Sequence, residues 1–176
     1  MKVPIIDLRA QYQAIETDVT GAVQDVIERQ DFIRGKEVDL FEKEAAEFLG
    51  ASHAIGVGSG TDALAMALES IGVGPGDAVV TTPFTYFATI EAILQTGAEP
   101  IFVDIDPKNF NLDPGALEDY LRKKVRRLPE TGALMDIQTG LSVQCILAVH
   151  IYGDPADMEA IGRLALRYDL PIVEDA

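Results

Sequence analysis

The sequence predicts an α/β fold of three layers, with helices on both faces of a mostly parallel sheet. Two patterns carry that expectation. Short apolar runs at His53–Val57, Ala78–Thr82, Pro100–Asp104, Cys145–His150 and Pro171–Asp175 have strand length and read as buried strands. Between them, Thr61–Ile71, Thr85–Thr96, Pro114–Arg126 and Pro155–Tyr168 space their apolar residues as helices do, and punctuation such as Gly74-Pro75-Gly76-Asp77 marks the turns. Strands alternating with helices produce crossovers that lay helices on a parallel sheet.

The first fifty residues do not share this alternation. From Arg9 to Gln30 the apolar positions Ile15, Val19, Ala22, Val23, Val26 and Ile27 recur at three- and four-residue steps, which predicts an amphipathic helix. Residues Asp31 to Gly35 break the pattern. A second helix runs through Val38, Phe41, Ala45, Phe48 and Leu49 and stops at Gly50, a residue suited to a left-handed cap. The expected organisation is a helical segment over 1–50 followed by an α/β segment over 51–176. Pro129–Gly140 lacks clear periodicity and reads as an extended loop or an extra hairpin.

Composition narrows the function. With 48% apolar and 24% charged residues in 176, the chain can bury a core. Its 29 acidic and 14 basic side chains give a formal charge of -15, which repels a nucleic-acid backbone and an anionic membrane surface alike. No stretch reaches the roughly 18 apolar residues of a membrane span, and Met1 opens onto Lys2-Val3-Pro4 rather than a signal peptide. The single cysteine, Cys145, forms neither an intrachain disulfide nor a zinc knuckle and sits in an apolar run without a basic neighbour, so it reads as core. A soluble cytoplasmic protein with no metal site is the expectation.

Three segments at predicted strand ends could carry chemistry. Gly56-Val57-Gly58-Ser59-Gly60-Thr61-Asp62 leads from an apolar run into a helix, whose first amides have no intrahelical partner and can hold a phosphate. The glycines fall at steps of two, unlike GxGxxG, and no Walker lysine follows; the same residues also read as an ordinary helix start with Ser59 or Thr61 as N-cap. Phe84, Tyr86 and Phe87 crowd the end of the Ala78–Thr82 run, where they could pack the core or stack on a planar ligand. Glu174 and Asp175 close the last apolar run. A carboxylate there can reach a metal, a sugar hydroxyl or a protonated ring nitrogen, or be a solvated strand end. His150 ends its own run at the same expected edge.

Taken in order, Pro4-Ile5-Ile6-Asp7-Leu8, Phe32-Ile33-Arg34-Gly35, Ser59-Gly60-Thr61-Asp62-Ala63-Leu64, Pro83-Phe84-Thr85-Tyr86-Phe87-Ala88-Thr89, Val103-Asp104-Ile105-Asp106, Val149-His150-Ile151-Tyr152-Gly153 and Val173-Glu174-Asp175-Ala176 resemble the nucleotide-sugar aminotransferases of the DegT/DnrJ/StrS type. The resemblance spans essentially the whole chain. It implies the aspartate-aminotransferase fold, with residues 51–176 as the N-terminal part of the large domain that binds pyridoxal 5′-phosphate (PLP).

The resemblance also implies roles. Gly60, Thr61 and Asp62 form the turn that holds the cofactor phosphate, Tyr86 stacks on the pyridine ring, and Asp175 pairs with the protonated ring nitrogen so that the ring serves as an electron sink. Phe84 and Phe87 remain packing residues, Glu174 a structural or solvated neighbour, and His150 lies near the cofactor edge. Arg34 either approaches the substrate or is a surface arginine. The family's Schiff-base lysine follows the aspartate, and none of Lys2, Lys36, Lys43, Lys108, Lys123 or Lys124 stands in a matching motif; Lys123 and Lys124, with Arg122, Arg126 and Arg127, read as a solvated basic helix end. The sequence is therefore expected to be the N-terminal portion of a longer enzyme, a homodimer that moves an amino group, from glutamate, to a keto group of a nucleotide-linked sugar. The rivals are a PLP-dependent sugar dehydratase, a non-catalytic PLP-binding regulatory protein and a nucleotide-binding α/β module.

Overall fold

A computed structural model describes residues 6–176, so Pro4 and Ile5 of the first motif lie outside the described residues. The chain divides into two compact units between Gly56 and Val57.

In the first unit, α1 (Leu8–Arg29) starts where the Asp7 carboxylate accepts the Ala10 N–H at 3.1 Å. It stops at Gln30, whose φ of 55° turns the chain out of the helix. The amphipathic helix forms as the spacing predicts, but its apolar stripe is uncovered: Ile15, Val19, Val23 and Ile27 are all exposed. Helix α2 (Lys36–Leu49) ends at Gly50 with φ 65°, the left-handed geometry that a glycine adopts without a Cβ clash. Arg29 at the end of α1 pairs with Glu37 at the start of α2. The expected buried strand at His53–Val57 does not form. A strand needs a ladder for its N–H and C=O groups, none of the described strands pairs with this run, and Ile55 stands 75% exposed.

The second unit is a mixed six-stranded sheet. Strands β1 (Asp77–Thr81), β2 (Glu99–Phe102), β5 (Ser142–Val149) and β6 (Ile172–Asp175) run parallel in the order β2-β1-β5-β6. Successive side chains in a strand face opposite sides, and the core splits accordingly. Val79, Cys145 and Leu147 pack with α3 (Gly60–Ser70) and α4 (Phe87–Gln95) on one face. Val80, Ile146 and Ala148 pack with α5 (Pro114–Lys124) and α6 (Met158–Tyr168) on the other. The three layers and the largely parallel sheet are as the sequence predicts.

Two short strands correct the reading of the middle segment. Helix α5 stops at Lys124 rather than Arg126, and β3 (Val125–Arg127) pairs antiparallel with β4 (Leu134–Asp136), which meets β5 at Ser142. Of the two readings of Pro129–Gly140, the hairpin is the one the chain adopts. Val125 is β-branched and buried, so it gains more from the ladder than from another turn of helix. Arg127 is consequently not part of a solvated helix end: its guanidinium donates to the carbonyls of Gly132 at 2.8 Å and Tyr168 at 2.7 Å. No described helix is long and apolar enough to cross a membrane.

Candidate functional site

Chain direction brings the chemistry-bearing residues of the second unit to one edge of the sheet. Helix α3 is joined at its end, through residues 71–76, to the start of β1, so its first residue lies about 16 Å away, toward the carboxyl ends of the parallel strands. Helix α4 begins at that same edge, a few residues after β1 ends, and α3 packs against both α4 and β6. Strands β5 and β6 end there together, tied by the His150 N–H to the Asp175 carbonyl at 2.9 Å. In open α/β sheets this edge is where ligands bind.

At the start of α3, Ser59 is the N-cap. Its Oγ accepts the Asp62 N–H at 3.1 Å and donates to Asp62 Oδ2 at 2.9 Å. The Asp62 amide is therefore committed to the cap. The amides of Gly60 and Thr61, which precede any possible intrahelical acceptor, remain as donors assisted by the helix dipole. A Cβ built on Gly60 would meet nothing within 4 Å, so the space beside these amides is open. One on Gly58 would come within 3.1 Å of Asp62 Oδ2, so this glycine makes room for the capping carboxylate.

Asp175 is held from one side only. Thr89 on α4 donates its hydroxyl to Asp175 Oδ2 at 2.6 Å, and Oδ1 takes no hydrogen bond from the described residues. This leaves a partly buried carboxylate oxygen free to accept a proton-bearing ring nitrogen. Tyr86 caps α4 with extended backbone, and its ring is 81% exposed, presented to solvent rather than packed in the core.

Phe84 is 39% exposed rather than core, and packs at the surface with its ring centroid 5.7 Å from that of Phe110 and 6.3 Å from that of Tyr152, both exposed as well. Phe87 is not core either: it is 67% exposed, because it sits in the first turn of α4 on the side away from the sheet. His150 accepts the Ala156 N–H at Nδ1 (3.1 Å), which assigns the proton to Nε2, 2.8 Å from Glu174 Oε2. Glu174 is thus the partner of His150. Arg34 belongs to the first unit, where it is exposed between α1 and α2 with φ 51°.

Sequence reasoning missed two residues of this edge. Thr89 lies within the quoted motif, but nothing in the sequence links it to a carboxylate 86 positions away. Asn111, 1% exposed, donates to the Asp154 carbonyl at 2.9 Å and accepts the Ile151 N–H at 3.0 Å, fixing the turn Ile151–Gly153 that carries Tyr152. A polar residue inside Phe110-Asn111-Leu112 was the available signal.

These donors and acceptors suit a phosphorylated, planar, nitrogen-containing ring: free amides at a helix start, an exposed aromatic face, and a carboxylate with one oxygen unfilled. The fold is that of the pyridoxal-dependent aminotransferases. The chain belongs to the DegT/DnrJ/EryC1/StrS aminotransferase family, whose pattern matches residues 13–176. It is 40% identical over 176 residues to a pleiotropic regulatory protein of Geobacillus stearothermophilus, covering 100% of this chain and 42% of the relative. It is 38% identical over 174 residues to a UDP-2-acetamido-2-deoxy-3-oxo-D-glucuronate aminotransferase of Pseudomonas aeruginosa, covering 99% and 44%. Among solved structures, DesV of S. venezuelae in complex with a ketimine intermediate superposes with a TM-score of 0.86 at 36% identity, over 99% of this chain and 42% of that one. NtdA of Bacillus subtilis, with bound cofactor PMP, gives 0.84 at 31% identity over 99% and 36%. The chain therefore spans about two-fifths of the length of the curated relatives it matches.

Proposed function

We propose that this chain holds pyridoxal phosphate as part of an aminotransferase that moves an amino group, with glutamate as donor, onto a keto group of a nucleotide-linked sugar. The cofactor, when bound, supplies the electron sink that makes amino transfer possible. The residues here bind and orient it. Gly60 and Thr61 donate backbone N–H groups to the phosphate, Asp62 closes the turn through Ser59, Tyr86 covers one ring face, and Asp175 keeps the ring nitrogen protonated by offering Oδ1. His150, locked by Ala156 and Glu174, shapes the cofactor edge, and Arg34 meets an anionic group of the substrate.

The observation that carries this reading is the half-occupied carboxylate of Asp175, anchored on one oxygen by Thr89 and open on the other. The relative from Pseudomonas aeruginosa supports the substrate class through its name. Under this proposal residues 51–176 are the N-terminal part of the cofactor domain, residues 1–50 its helical lead-in, and the protein acts as a cytoplasmic homodimer.

The test is amino exchange: with PLP and glutamate, the full-length protein is expected to release 2-oxoglutarate and lose the absorbance of the bound cofactor, and Asp175→Asn is expected to abolish both changes. PLP uptake without exchange would favour a second reading, a regulatory protein that retains the pocket for binding alone. The name of the relative from Geobacillus stearothermophilus supports that reading.

A further inference from the structure

We propose that Thr89, backed by Thr85, is a positioning residue that sets Asp175 for the ring nitrogen; the proposal rests on the cofactor reading above and deepens it. Thr89 has one hydroxyl hydrogen, and the 2.6 Å contact with a carboxylate oxygen claims it. The 2.7 Å contact between Thr85 Oγ1 and Thr89 Oγ1 must then be donated by Thr85. The result is a directional chain, Thr85 to Thr89 to Asp175 Oδ2, that fills one carboxylate oxygen and leaves Oδ1 as the acceptor. Hydrogen bonds to a charged acceptor are the stronger kind, and fixing one oxygen also fixes the plane of the carboxylate.

Thr89 also joins the two groups that face the ring. Its backbone N–H donates to the Tyr86 carbonyl at 3.1 Å while its hydroxyl holds Asp175, so a single residue sets the spacing between the ring-face residue and the ring-nitrogen residue. A buried helical threonine often bonds back to the carbonyl four positions earlier. Thr89, 1% exposed in the first turn of α4, instead sends its hydroxyl to the neighbouring strand β6.

The experiment measures binding, not turnover. Pyridoxamine phosphate and its 1-deaza analogue, in which carbon replaces the ring nitrogen, are titrated into the protein and into Thr89→Val, Thr89→Ser and Thr85→Val, each checked for folding by circular dichroism. The wild type is expected to prefer the nitrogen-containing ligand. Thr89→Val should cut that preference about tenfold, the scale of a hydrogen bond to a charged group. Thr89→Ser should keep it, and Thr85→Val should lose a smaller part. Equal weakening of both ligands by Thr89→Val indicates a purely structural role and overturns the proposal, as does an unchanged preference. If Thr89→Val does not fold, an unchanged preference in Thr85→Val overturns it. A wild type that binds both ligands equally removes the Asp175 reading as well, and one that binds neither removes the cofactor reading.

Discussion

Ser59 and Asp62 bond to each other twice: the serine hydroxyl accepts the Asp62 amide at 3.1 Å and donates to the Asp62 carboxylate at 2.9 Å. The pair closes the first turn of α3 and leaves the Gly60 and Thr61 amides as its free donors. Ser59→Ala removes both bonds and should cost about 1 kcal/mol. That corresponds to a fall in Tm of about 2–4 °C. Thermal melting followed by circular dichroism checks it, and Ser59→Thr, which restores a hydroxyl able both to accept and to donate, should recover most of the loss.

Asn111 performs the equivalent task on the other side of the edge. Its amide group satisfies the Asp154 carbonyl and the Ile151 N–H, so Asn111→Ala strands two backbone groups and opens a small cavity. Denaturant unfolding should record a loss of about 2–4 kcal/mol. Amide exchange should quicken selectively across residues 150–154.

Asp136 links stability to pH. Its burial pushes the carboxyl pKa up, but hydrogen bonds from the Thr139 backbone and side chain, the Gln138 N–H and the Tyr120 hydroxyl outweigh this and hold it below the ordinary aspartate value. A carboxylate depressed in the folded state stabilises above its unfolded pKa of about 4 and loses that contribution as pH falls through the folded value. Asp136→Asn should therefore cost about 1–3 kcal/mol at pH 7. The gap between variant and wild type should narrow steadily below about pH 4. Urea midpoints across pH 2–7 report it.

Cys145 is fully buried between β1 and β6, and burial pushes its thiol up to about 12. A protonated, enclosed thiol is neither nucleophile nor redox sensor. Ellman's reagent at pH 8 should leave the native protein unmodified and titrate one thiol after unfolding in guanidinium.

The sheet was legible where the chain carries its own evidence. Continuous apolar runs such as Cys145–Val149 become strands buried on both faces, and glycine or aspartate stops mark their neighbours. His53–Val57 has the same look and forms no strand, since pairing depends on a partner that the run itself does not encode. The switch from helix to strand at Val125 was hidden because no Gly or Pro punctuates it; the basic run from Arg122 to Arg127 continues a helical spacing while tertiary pairing with Leu134–Asp136 overrides it. At the site, each strand-end residue was visible singly. The bonds between them were not, because Thr89 to Asp175 and Asn111 to Asp154 span distant parts of the chain.

The central claim, that Asp175 holds a protonated pyridine nitrogen, is tested most directly by ¹⁵N NMR of ring-labelled pyridoxamine phosphate bound to the protein at pH 8. The account predicts a pyridinium-type shift in the wild type and a neutral pyridine shift in Asp175→Asn. A neutral shift in the wild type, or the same shift in both proteins, would contradict it.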